Sequence, residues 1–230
     1  MDVKKYFDSI FKDGMTLGEL VNVSIENLKF ISYKIPNEMP KYVEERRFDF
    51  DFLETQKEFA LKEIYHNVGM YGFVSWKWVE PFAEWIKGKK VLEVMAGRGW
   101  LSHALRLKGI DIISTDNFSW HKNAGWEEPL TEITNIDAVK SIDKFGKQVD
   151  IVIMSWPYMD NTAFQVLKRL HEVNPSALVV YIGEYYGCTA DKEFHNHFEE
   201  IEDIGFNKVI EKYQRWNNIH DRPFLGRYRG

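Results

Sequence analysis

Between positions 91 and 114 the chain changes its hydrophobic period twice. Val91, Leu92 and Val94 form a short apolar run of the kind a parallel sheet buries on both faces. Leu101, Ala104, Leu105 and Leu107 then recur at helical spacing, and 110–114 is again short and β-branched. Residues 96–99 supply a tight turn into the helix, and Gly109 closes it. The pattern predicts a strand, a helix over 100–108 and a second strand, which is one βαβ unit.

The rest of the chain is read around that unit. Before it the pattern is helical: Thr16 with Glu19 forms a capping box, Leu17, Leu20, Val21, Ile25 and Leu28 follow at helical spacing, and Pro36 and Pro40 interrupt. A charged and apolar mixture resumes over 41–67, where Phe52, Phe59 and Ile64 share a stripe until Gly69 and Gly72. This stretch is expected to cover one end of the sheet, with a substrate lid as its sharper alternative. Trp76, Val79 and Trp85 mark a helix just before the first strand. After the unit, a short third strand is expected at 131–133, a helix at 136–145, a buried strand at 150–155, a helix at 161–173 and a strand at 177–183. Asp191 caps a further helix, 206–213 reads as a sixth strand and 224–228 as the last. Strands alternating with helices predict a doubly wound α/β sheet. Residues 1–70 are expected to form a helical extension packed on a core unit of residues 71–230.

Composition narrows this picture. A chain of 230 residues with 44% hydrophobic and 15% aromatic content suits one globular α/β unit with a sizeable core. The net charge of −5 argues against a surface built to hold a nucleic-acid backbone. Cys188 is the single cysteine, so no internal disulfide forms. No apolar run approaches membrane-spanning length, and residues 1–14 lack the apolar middle of a signal peptide, so a cytoplasmic protein is expected.

The chemistry starts at the glycine turn. A turn of this kind lets a ligand approach backbone N–H groups at a helix start, and Asp116 at the end of the second strand is suited to accept from ribose hydroxyls. The spacing alone fits two cofactor classes, because nicotinamide dinucleotide folds also carry an acid about 20 residues past their glycines. Ser102 stands where their third glycine belongs, and Glu93 would face a pyrophosphate unfavourably. A cationic sulfonium ligand suits Glu93 better.

The stretch VLEVMAGRG, 91–99, resembles the first motif of class I S-adenosylmethionine-dependent methyltransferases. Met95 departs from it, since the family usually has glycine there. The resemblance implies a Rossmann-like, mostly parallel sheet with an antiparallel seventh strand, here behind an N-terminal helical cap, and S-adenosylmethionine as cofactor. It implies cofactor contacts from Glu93, Met95, Ala96, Gly97, Gly99, Asp116 and the adjoining Asn117, and from the aromatic segment before the first strand, Tyr71 and Phe73. The tryptophan-rich loop over 117–130 is expected to shape the adenine or acceptor pocket.

The stretch SWPY, 155–158, partly resembles the fourth motif of amino-methylating branches, with Ser155 in place of the amine-holding Asn or Asp and Trp156 in place of a proline. Ser155 and Trp156 are expected near the cofactor, and Tyr158 to stack on a flat acceptor. The wider pattern over 71–229 resembles a methyltransferase-like family without assigned substrate. The usual sheet of such proteins brings the connection before the last strand to the cofactor edge, so Arg215, Trp216, His220, Asp221 and Arg222 join the candidates. His220 is the expected general base on intrinsic pKa, Glu184 the second choice, and Asp221 its orienting acid. Cys188 as a nucleophile is the weaker alternative. No metal is expected, because His195 and His197 lie two apart on a helix and face different ways.

The expectation is therefore a methyltransferase of unidentified acceptor, with a small molecule preferred, nucleic acid next and protein also open, and with no membrane partner. The alternative is a non-catalytic S-adenosylmethionine binder or scaffold. A nicotinamide oxidoreductase is disfavoured by Glu93 and Ser102.

Overall fold

The computed structural model describes residues 3–26, 34–40, 52–119 and 128–230. The helices α1 (Val3–Ile10), α2 (Leu17–Glu26), α3 (Phe52–Asn67) and α4 (Trp76–Ile86) come first. Then follow β1 (Val91–Val94), α5 (Trp100–Leu107), β2 (Ile112–Asp116), β3 (Thr134–Asn135) and α6 (Ala138–Phe145). The chain ends with β4 (Ile151–Ser155), α7 (Thr162–Val173), β5 (Leu178–Gly183), α8 (Lys192–His197), β6 (Phe198–Glu200), α9 (Ile204–Lys212) and β7 (Arg222–Tyr228).

The strands form one seven-stranded sheet in the order β3-β2-β1-β4-β5-β7-β6, with β7 antiparallel to both neighbours. The mostly parallel sheet with a reversed seventh strand is as expected. Alternate strand residues feed two cores. Val91, Ile151, Ile153, Val180 and Ile182 pack under α4, α5 and α9, together with Leu20 of α2, Leu61 and Ile64 of α3, and Phe11 just after α1. Leu92, Val94, Val152, Met154 and Val179 pack under α6 and α7. Both faces are thus covered, which is why the inner strands read as unbroken apolar runs.

Three expectations shift. The segment 206–213 is helical, not a strand: Phe206, Val209, Ile210 and Tyr213 repeat at i, i+3, i+4 and i+7, and the Asp203 carboxylate caps α9 by accepting from Phe206 N–H at 2.7 Å. The sixth strand is the three-residue β6, whose Glu199 and Glu200 are exposed and hide it from a hydrophobic pattern. The third strand lies at Thr134–Asn135 rather than 131–133, and the second runs on to Asp116. The capping box appears as read, with Thr16 N–H donating to Glu19 Oε2 at 2.8 Å and Glu19 N–H to Thr16 Oγ1 at 3.3 Å. Leu28, the 41–51 part of the mixed stretch, and 120–127 of the tryptophan-rich loop lie outside the described residues. No helix among the described residues is long and apolar enough to cross a membrane.

Candidate active site

The first turn is built against its own side chains. To bring the chain from β1 into α5, Met95, Gly97 and Gly99 all adopt positive φ, at 56°, 58° and 78°. Glycine takes this conformation freely; methionine does so at a cost of about 1–2 kcal/mol. A Cβ on Gly99 would meet Ile133 Cδ1 at 2.9 Å, so this glycine makes room for the chain entering β3 and does not line the cavity. Nothing stands within 4 Å of a Cβ on Gly97.

Asp116 ties the turn down. Its Oδ2 accepts from Gly97 N–H at 2.8 Å and its Oδ1 from Phe118 N–H at 2.7 Å. The sequence assigned this carboxylate to ribose hydroxyls; the structure engages both oxygens with backbone donors. Glu93 is 1% exposed. Burial pushes its carboxyl up to about 7, against the lowering effect of the Ser102 hydroxyl that donates to Oε2. Ser114 donates to Ser102 at 2.5 Å, and Arg106 donates to Ser114 at 3.1 Å. Ser102, read from sequence only as a missing glycine, is therefore the hydroxyl that holds Glu93.

These groups open onto a cavity of about 410 Å³ at the carboxyl edge of the sheet, beside β1, where the strand order reverses. Glu93, Met95, Ala96, Gly97, Asp116 and Asn117 line one half. Tyr71, Ser155, Trp156, Tyr158, Cys188 and Thr189 line the other. Four carboxylates stand in the wall, from Glu93, Asp116, Asp137 and Asp160; no Lys, Arg or His does among the described residues. Met70, Trp100 and Asp137 also face it and escaped sequence reading. Asp137 carried a legible signal, since it caps α6 by accepting from Val139 N–H at 3.0 Å.

Other expected site residues lie elsewhere. Phe73 is fully buried against Tyr65 and Trp216, with ring centroids 5.2 and 5.4 Å away, and does not line the cavity. Trp216 belongs to that same core. His220, Glu184 and Asp221 share the sheet edge but stand outside the cavity wall. His220 is exposed, and its backbone N–H donates to Glu184 Oε1 at 2.7 Å. Glu184 is a brace: its Oε2 accepts from Cys188 N–H at 3.3 Å. Partial burial raises its pKa, yet these N–H donors outweigh that and hold it below the usual carboxylate range. Asp221 does not orient His220. Its Oδ2 accepts from Trp156 Nε1–H at 2.9 Å and from the Tyr213 hydroxyl at 2.6 Å, while burial raises its pKa. Arg222 pairs with Glu200 and covers the Phe224 ring at 3.8 Å.

Trp156 is the most constrained residue of the second half. It follows β4 with φ 51°, its N–H donates to Ile182 O at 2.8 Å, and Tyr71 stacks on it with centroids 6.2 Å apart. A Cβ on Gly72 would stand 2.8 Å from its ring, so only glycine lets the segment before α4 lie this close. Among the described residues, no group of three or more His, Cys, Asp or Glu is arranged to hold a metal ion. His195 is buried with Nε2 against Thr189 O at 3.0 Å.

No family model matches the chain, and no curated protein does. Solved structures do. One is a magnesium protoporphyrin IX methyltransferase from Synechocystis PCC 6803 with bound S-adenosylmethionine, 14% identical over 96% of this chain and 100% of that one, TM-score 0.42. A second is a methyltransferase dependent on the same cofactor from Archaeoglobus fulgidus, 17% identical over 65% and 90%, TM-score 0.41. A third is a ribosomal protein L11 methylase from Lactobacillus delbrueckii subsp. bulgaricus, 13% identical over 66% and 77%, TM-score 0.40. The strand order and the reversed β7 are those of the mostly parallel, Rossmann-like sheet expected from the sequence.

Proposed function

We propose that the cavity binds S-adenosylmethionine and that the chain is a methyltransferase for a small-molecule acceptor. The observation that carries this is the charge of the wall: four carboxylates and, among the described residues, no basic side chain. A dinucleotide pyrophosphate would meet repulsion from this wall, whereas a ligand bearing an ammonium and a sulfonium finds acceptors. The residues fit that ligand. Glu93 suits an ammonium group, because a cation beside it restores the ionised form that burial disfavours. The start of α5 suits the ligand's single carboxylate, and Asp116 and Asp137 suit hydroxyls and an amine.

When bound, the cofactor supplies an electrophilic methyl group on a sulfonium sulfur. The chain's own task is alignment and exclusion of water, with Trp156 and Tyr71 as fixed walls. The acidic wall favours a small acceptor over a polyanionic nucleic acid. Residues 1–70 serve in this reading as an extension that closes one side, since Gly69 and Met70 line the cavity beside Tyr71. Cytoplasmic residence belongs to the same reading and is supported by the exposed free thiol of Cys188. Calorimetry tests the proposal: S-adenosylmethionine and S-adenosylhomocysteine are expected to bind and NAD not to, and tight NAD binding without response to the other two overturns it.

A further inference from the structure

The half of the cavity away from Glu93 combines aromatic rings with a carboxylate. Its mouth carries side chains that solvent would not leave bare without a use: Tyr71, Tyr158 and Met159 are 41%, 64% and 68% exposed. Tyr71 and Tyr158 line the same cavity, and Tyr71 lies nearly parallel to Trp156, at 28°. The Trp156 plane is fixed rather than free to follow a ligand. Its indole N–H is held by the buried Asp221, its backbone by Ile182 O, and Gly72 is packed against its ring. A rigid stacked pair beside an exposed tyrosine forms a slot suited to a flat ring.

Charge adds a second restriction. The Asp160 carboxylate stands in the wall at this mouth, and among the described residues no Lys, Arg or His lines the cavity. The start of α7 would favour an anion at the mouth, but there Asp160 Oδ1 already accepts from Thr162 N–H at 2.9 Å. Electron-rich ring faces and carboxylates attract the same kind of ligand, a cation.

We infer that the methyl acceptor is a flat aromatic molecule bearing an amine or another cationic group, held by Tyr71, Trp156 and Tyr158 with Asp160 facing its charge. The inference rests on the cavity being the S-adenosylmethionine site, and it excludes carboxylated or phosphorylated acceptors of the same shape.

Three probes separate ring from charge: tryptamine, indole-3-propionate and 2-cyclohexylethylamine, each titrated by calorimetry with and without saturating S-adenosylhomocysteine. Tryptamine is expected to bind at least tenfold more tightly than either of the others. Tyr158→Ala should weaken tryptamine at least tenfold, and Asp160→Asn should narrow its advantage over indole-3-propionate several-fold. Equal or tighter binding of indole-3-propionate overturns the charge argument. Equal binding of 2-cyclohexylethylamine, or no effect of Tyr158→Ala, overturns the slot. Absence of S-adenosylhomocysteine binding would instead refute the cofactor reading, and the arm without it still reads the mouth's preference.

Discussion

The two halves of the cavity are held by different means. On the β1 and β2 side, order comes from main chain and short polar side chains: Asp116 grips two backbone N–H groups, and Ser102 and Ser114 hold a carboxylate buried to 1% exposure. On the β4, β5 and β7 side, order comes from long-range side-chain bonds between loops. Asp221 reaches Trp156 across 65 positions of sequence, and Glu184 reaches the His220 backbone across 36. The first arrangement leaves little freedom to vary and suits a ligand of constant shape. The second exposes replaceable rings on a fixed base, which, in the proposed reading, lets acceptor choice change without disturbing the turn.

The largest test of this contrast is Asp221→Ala. It strands a buried indole N–H and the Tyr213 hydroxyl together, at about 1–3 kcal/mol for each lost partner. Urea unfolding is expected to register a loss of roughly 2 to 6 kcal/mol on that scale; a loss within experimental error would mean that Trp156 is held by its packing alone.

Glu93 gives the next largest effect, with a definite pH signature. Its carboxyl is raised from 4.5 to about 7 on folding, so between these values the folded chain holds a proton that the unfolded chain has released. Its protonated state therefore supports the fold fully below pH 4.5, and that support is lost as pH rises to about 7. Glu93→Gln keeps an acceptor for Ser102 but cannot ionise. Its unfolding free energy should match wild type near pH 4 and exceed it above pH 7 by on the order of 3 kcal/mol. Parallel pH curves for the two proteins would contradict the burial argument.

Asp116→Ala probes the turn through its ligand. If the proposed cofactor site is correct, losing the group that fixes Gly97 should weaken S-adenosylhomocysteine by about 1–3 kcal/mol, or roughly fivefold to 150-fold in Kd. Calorimetry reads this directly, and an unchanged Kd would remove Asp116 from the site.

The smallest effect is Met95→Gly. Relief of the positive φ, about 1–2 kcal/mol, is opposed by glycine's extra unfolded-state entropy and by the lost packing of a half-buried side chain. A net gain of about 0.5 kcal/mol is expected from those opposing costs. A loss larger than 1 kcal/mol would mean that the Met95 side chain, not the turn, governs the position.

The sequence by itself determined the βαβ unit, the alternation of strands and helices and the acids Glu93 and Asp116. Each rests on local rules: apolar period, positive-φ glycines and one turn of known reach. The segment 206–213 was also legible by its 3–4 spacing, and there the shorter period was read in error. Tertiary structure alone decided that Ser102 supports Glu93, that Phe73 and Trp216 are core, that Asp221 binds Trp156 instead of His220, and that His220 faces solvent outside the cavity. The physical reason is that a side chain's partner across a sheet edge depends on the rotation of whole elements, here the path from α9 into β7. Hydrophobic periodicity specifies which face of an element is buried, but not which buried polar atom will stand opposite it.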